Sequence, residues 1–132
     1  MAAKVSISPT LPVSKRFDSA SADMTLQSSD NVIFKVHRLN LEMHSQVFAD
    51  AGGSTVGTVE NEIVSLSETS EVLELMLQYI YLQPQPDLQK VEWEVMKDLA
   101  EAVEKYEIYS AIGVCSQRMR YDHQNHFWKT KN

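Results

Sequence analysis

Cysteine is almost missing from this chain: Cys115 is the single thiol in 132 residues. No internal disulfide can form, and a lone thiol fits a reducing compartment, so cytoplasm or nucleus is the expected setting. Long apolar runs are missing as well. Nothing approaches the roughly 20 residues that a membrane-crossing helix needs, and no membrane partner is expected. The opening stretch MAAKVSISPTLPVSKRF lacks the continuous apolar segment of a secretory signal. Bases are scarce in the body. From Leu39 to Gln117 only Lys90, Lys97 and Lys105 stand against fourteen acids, a balance of −11. Such a surface repels a phosphate backbone, which excludes nucleic acid as the expected partner. The one glycine-rich stretch, GGSTVG at 52–57, lacks the lysine and the strand-to-helix setting of a phosphate-binding loop. A Cys/His framework for zinc fingers and internal repeats are also missing.

What remains is an ordinary globular composition, 43% apolar and 23% charged, of a size that suits one domain with one core. Residues 1–17 read as a flexible Ser/Pro-containing tail. Met24 and Leu26, then Phe34 and Val36, alternate with other residues around the turn cluster SSDN, which predicts a β-hairpin. Leu39, Met43, Val47 and Phe48 follow at helical spacing and predict one or two short helices over 38–51. EIVSLS at 62–67 reads as a third strand. Ser70 is placed to cap a helix over 72–81, VLELMLQYIY, which is apolar nearly all round and so belongs at the domain centre. Pro84 and Pro86 end it. An amphipathic helix is predicted over 91–106, with Glu101 and Lys105 as an i,i+4 pair. A last helix is predicted over 108–120. Strands first and helices after make an α+β fold with a small three-stranded sheet and about five helices.

Histidines and the thiol are the candidates for chemistry. His37 and His44 lie seven apart, two helical turns, yet zinc needs a third and fourth ligand. Cys115 falls on the inner face of the last helix, and His123 and His126 fall in a stretch with no period. A thiolate nucleophile needs an electropositive, partly open setting, which an acidic body and an apolar helix face do not offer. No metal, no cofactor and no catalytic residue is expected. A small thiol-dependent enzyme using Cys115 is the rival reading. Trp128 stands out in a basic, polar stretch as a candidate exposed anchor.

Four stretches, ADMTLQSSDNVIFKVHR, HRLNLEMHSQVF, EIVSLSETSEVLELMLQYIYLQPQPDL and LAEAVEKYEIYSAIGVC, occur in an order that resembles the BTB/POZ domain family. The likeness spans about Asp18 to Tyr121, leaving 122–132 as a C-terminal tail, read as a shortened helical extension. YLQPQPDL, in place of the more common Tyr-Thr-Gly, is most similar to fungal members. The resemblance implies a non-catalytic protein–protein interaction module. Homodimerisation would use the N-terminal segment, the hairpin and the first helix, with Asp23, Arg38, Leu39 and Met43 as partner-binding residues. His37, Phe48, Met76, Tyr81 and Tyr106 would be structural. His37 would pack into the core where strand enters helix and bond the free backbone groups there. The family also implies a cullin-3 ubiquitin-ligase scaffold as partner, or a transcriptional corepressor. The loop here departs from the family's apolar-x-Glu signature for cullin docking: Thr58 stands two before Glu60, and Glu60 two before Glu62.

Overall fold

The computed structural model describes residues 10–54 and 63–131, with side chains described through 52 and from 63 to 121. The elements run β1 (Val13–Asp18), β2 (Met24–Gln27), β3 (Ile33–Val36), α1 (Arg38–His44), α2 (Gln46–Ser54), β4 (Ile63–Ser65), α3 (Ser70–Gln78), a 3-10 turn (Leu88–Lys90), α4 (Trp93–Lys105) and α5 (Tyr109–Lys131). The sheet has four strands in the order β1-β3-β2-β4. The β2–β3 hairpin is antiparallel, with Leu26 opposite Phe34 and Met24 opposite Val36. Its alternation turns Met24, Leu26, Phe34 and Val36 into the core. β4 joins β2 in parallel.

The fourth strand corrects the three-stranded sheet and takes up residues 13–17 of the stretch read as a tail. β1 pairs with β3 in parallel, and its register shifts between Val13 and Asp18. Phe17, which the sequence left without a core to join, is 3% exposed. Its ring meets Tyr81 edge-on at 5.3 Å and Phe34 at 6.3 Å. The buried Ser14 is satisfied: its hydroxyl donates to Glu74 at 2.7 Å and accepts from the Phe17 amide. Arg16 adds a 3.5 Å ion pair to the same Glu74. Glu74 thus ties β1 to α3.

Helix ends differ from the sequence expectation in instructive ways. α3 stops at Gln78, so Tyr79 to Tyr81 lie beyond it in turns. Thr69 caps α3, accepting from the Val72 amide, while Ser70 gives its amide and hydroxyl to Asp30 at 2.7 and 2.6 Å. Ser45 separates α1 from α2: its hydroxyl donates to the Tyr106 carbonyl and accepts from the Phe48 amide, which caps α2. Lys105 reaches Glu68 at 2.9 Å instead of Glu101. α4 ends in a Schellman motif with Ile108 N–H on the Val103 carbonyl and Glu107 at φ 52, a position that favours glycine. α5 continues to Lys131, past the expected end at 120, through the stretch read as a shortened helical extension.

The hydroxyls of Ser28 and Ser70 hold the Asp30 carboxyl down to about 2 from 3.8. The native group titrates below the unfolded one, so its stabilisation is whole above 3.8 and is lost as pH falls toward about 2. In Asp30→Asn, stability measured by urea unfolding is expected to fall less steeply across that window than in the wild type. Identical slopes would show that the Asp30–Ser70 contact carries no linkage. Solvent exposure of Asp30 keeps the effect small and salt-sensitive.

Candidate protein-interaction surface

α1 is short and follows the hairpin directly. Leu41 is its one fully buried side chain. Leu39 and Met43, four apart and therefore on one face, are 64% and 68% exposed. Tyr109, at the start of α5, borders the same shallow groove as Met43, with Glu42, His44, Ser45, Gln46 and Ser110 completing it. Tyr109 is exposed and was not singled out from sequence, because a residue just past a helix junction carries no periodic signal.

Asp23 and Arg38 meet, but through the backbone: the Asp23 carboxylate accepts from the Arg38 amide at 2.8 Å. It thereby serves one of the free N–H groups at the start of α1, where His37, the N-cap residue, makes no side-chain cap. The expectation for His37 is corrected accordingly. Its ring is half-buried, and its nitrogens meet side-chain hydroxyls, not backbone groups. Nδ1 lies 2.9 Å from the Tyr81 hydroxyl and Nε2 lies 2.8 Å from the Ser21 hydroxyl. The Tyr81 oxygen also accepts from the His37 amide at 2.7 Å.

The remaining structural candidates form two packing groups. Met76 is fully buried in α3. Phe48 and Tyr106 stack at 5.5 Å, and the Tyr106 hydroxyl donates to Glu68 at 2.7 Å. Burial pushes the Glu68 carboxyl up, but hydrogen bonds from Tyr106 and Lys105 outweigh it and hold the group below its ordinary value. Burial, and then that same acceptor, push the Tyr106 hydroxyl up. Tyr81 joins Phe17 to His37 and is raised by burial. Cys115 is buried, and burial pushes its thiol up to about 11, the reverse of what a thiolate nucleophile requires. Among the described residues, no three His, Cys, Asp or Glu side chains gather as a metal site. His44 is exposed at the last turn of α1. His123, His126 and the loop acids Glu60 and Glu62 lie outside the residues whose side chains are described. No described helix is long and apolar enough to cross a membrane.

Comparison with solved structures places this fold beside the BTB domain of zebrafish PATZ1, with a TM-score of 0.61 at 17% identity over 76% of each chain. At that identity the likeness speaks for the fold alone. No curated protein matches the chain. The family model described as BTB/POZ domain matches residues 14–123, which includes all of β2 through α4, all but the first residue of β1 and most of α5. With the hairpin, the paired helices α1 and α2, the parallel β4 and the buried α3 in that order, the chain belongs to the BTB/POZ domain family.

Proposed function

We propose that this BTB domain is a non-catalytic protein–protein interaction module that self-associates through the outer face of α1 and recruits protein partners. The carrying observation is the exposure of Leu39 and Met43 on one face of a helix that otherwise buries Leu41. Two large apolar side chains one turn apart, with Tyr109 beside Met43, make a compact patch that water solvates poorly. An isologous two-fold contact would bury each of them twice over. The geometry of Asp23 supports an intrachain role for that residue, with Leu39 and Met43 meeting the partner.

Among finer readings, a cullin-3 scaffold is less favoured, since the loop lacks the apolar-x-Glu signature. Corepressor recruitment rests on the family likeness alone, as does the fungal lineage suggested by YLQPQPDL. Cytoplasm or nucleus is the proposed compartment, from the single reduced thiol.

Sedimentation velocity tests the reading. The wild-type chain is expected to sediment as a dimer at micromolar concentration. Leu39→Glu/Met43→Glu is expected to be monomeric with an unchanged melting temperature, because both positions are exposed. Each buried side chain contributes about 1.5–3 kcal/mol, so the pair should weaken association by at least ~100-fold. A wild-type monomer at every concentration, or a dimer that survives both substitutions, rejects self-association through this face.

A further inference from the structure

α5 has a second face that the domain does not use. Its inner side buries Ala111 and Cys115, with Ile112 and Met119 packed against the core. On the outer side Val114 and Tyr121 are 42% and 57% exposed. They lie seven residues apart, a step that returns a helix to within about 20° of the same direction, so they form one stripe. Arg118 stands between them on α5. Its guanidinium is drawn onto the Leu88 carbonyl at 2.9 Å and the Gln89 carbonyl at 3.4 Å. That clasp holds the Leu88–Lys90 turn against the helix. Pro86 and Leu88 form one wall and α5 the other, around a groove of about 360 Å³ that also includes Tyr79. Val114 and Tyr121 at a heptad step are a pattern that a second helix can lie along. The side chain of Trp128, the next residue at that step in the sequence, lies outside the described residues.

Charge decides what kind of helix. From Tyr109 to Tyr121, α5 carries Arg118 and Arg120 and no acid, while the body from Leu39 to Gln117 stands at −11. Asp87 is the one acid lining the groove, and Lys90 lies on the same turn. Two copies of α5 side by side would set these bases against one another, which disfavours a second copy as the occupant. We infer that the α5 stripe and its groove are a docking site for an acidic amphipathic helix of a partner protein, separate from the α1 face.

The test uses the full chain and two synthetic 21-residue helices. Both carry Leu at a and d; one has Glu at every e and g, the other Lys. Like charges at e and g keep each peptide from pairing with itself. Fluorescence anisotropy of the labelled peptides is expected to show binding of the Glu peptide, weakening as salt rises. The Lys twin is expected to bind at least ~10-fold more weakly. Val114→Ser/Tyr121→Ser is expected to reduce Glu-peptide binding at least ~10-fold, with the melting temperature unchanged. Arg120→Glu is expected to remove part of the salt dependence. Leu39→Glu/Met43→Glu is expected to leave binding intact, so failure of the α1 reading and failure of this one are told apart. No binding of the Glu peptide, equal binding of both peptides, or binding indifferent to Val114→Ser/Tyr121→Ser would overturn the inference. So would a wild-type self-association that disappears in Val114→Ser/Tyr121→Ser, which would make a second copy the occupant.

Discussion

Met76→Asp is expected to leave the chain without a cooperative thermal transition. Met76 is fully buried near the middle of α3, in the cluster that also holds Leu73, Leu77, Met96 and Leu99. A carboxylate there has no cation to meet, and its desolvation costs several kcal/mol. If the group takes up a proton instead, the lost thioether packing still costs about 2–5 kcal/mol. Either loss is comparable with the roughly 5–15 kcal/mol that holds a small domain together. Circular dichroism melting is the measurement, with Met76→Leu as the control. That swap conserves volume and is expected to cost less than about 1.5 kcal/mol. A Met76→Asp protein that melts like the wild type would remove α3 from the centre of the core.

Phe17→Ala is expected to cost about 3–5 kcal/mol, the range for deleting a buried phenyl ring. Phe17 is the residue by which β1 enters the core, and its edge-on contact with Tyr81 at 5.3 Å would be lost with it. A chain beginning at Asp18 loses more: the ring, the parallel pairing to β3, and the Ser14 and Arg16 contacts to Glu74. Urea unfolding of Phe17→Ala beside Lys15→Ala separates core from surface, since the exposed lysine is expected to change stability by no more than about 0.5 kcal/mol. Equal midpoints for the two variants would return residues 13–17 to a tail. The consequence for self-association is practical. Deleting the N-terminal segment damages the fold itself, so a monomer obtained that way says nothing about the dimer face, whereas Leu39 and Met43 can be changed from outside.

The hairpin, α3 and α4 were legible because each announces itself within a few residues. Met24 and Leu26 alternate as strand positions do, and Met96, Leu99, Ala102 and Val103 recur at helical spacing, so nearest neighbours in sequence already state which face is buried. The exposure of Leu39 and Met43 was harder. Their spacing marks a helix face, and nothing in that spacing says whether the face meets the core or water. β1 was illegible for a definite reason. Its register shift breaks the period of two, so its buried residues, Ser14 and Phe17, stand three apart and one of them is polar. Ser14 becomes a tolerable interior residue because Glu74, sixty positions away, accepts a hydrogen bond from its hydroxyl.

The polar contacts divide along the same line. A Glu101–Lys105 pair is the local choice, worth a few tenths of a kcal/mol on an exposed helix. Folding brings the largely buried Glu68 within 2.9 Å of the same ammonium, and a charge-assisted bond at a partly dry site outcompetes the solvated pair. His37 likewise shows only a histidine at a strand-to-helix junction until Tyr81 and Ser21 close on its two nitrogens from 44 and 16 residues away. Periodicity was enough for the core helices, and four stretches in order carried the family resemblance, because each is a property of neighbouring residues. The placement of β1, the partners of His37 and the exposed outer faces of α1 and α5 depend on which distant groups arrive, and that is settled only when the chain closes on itself.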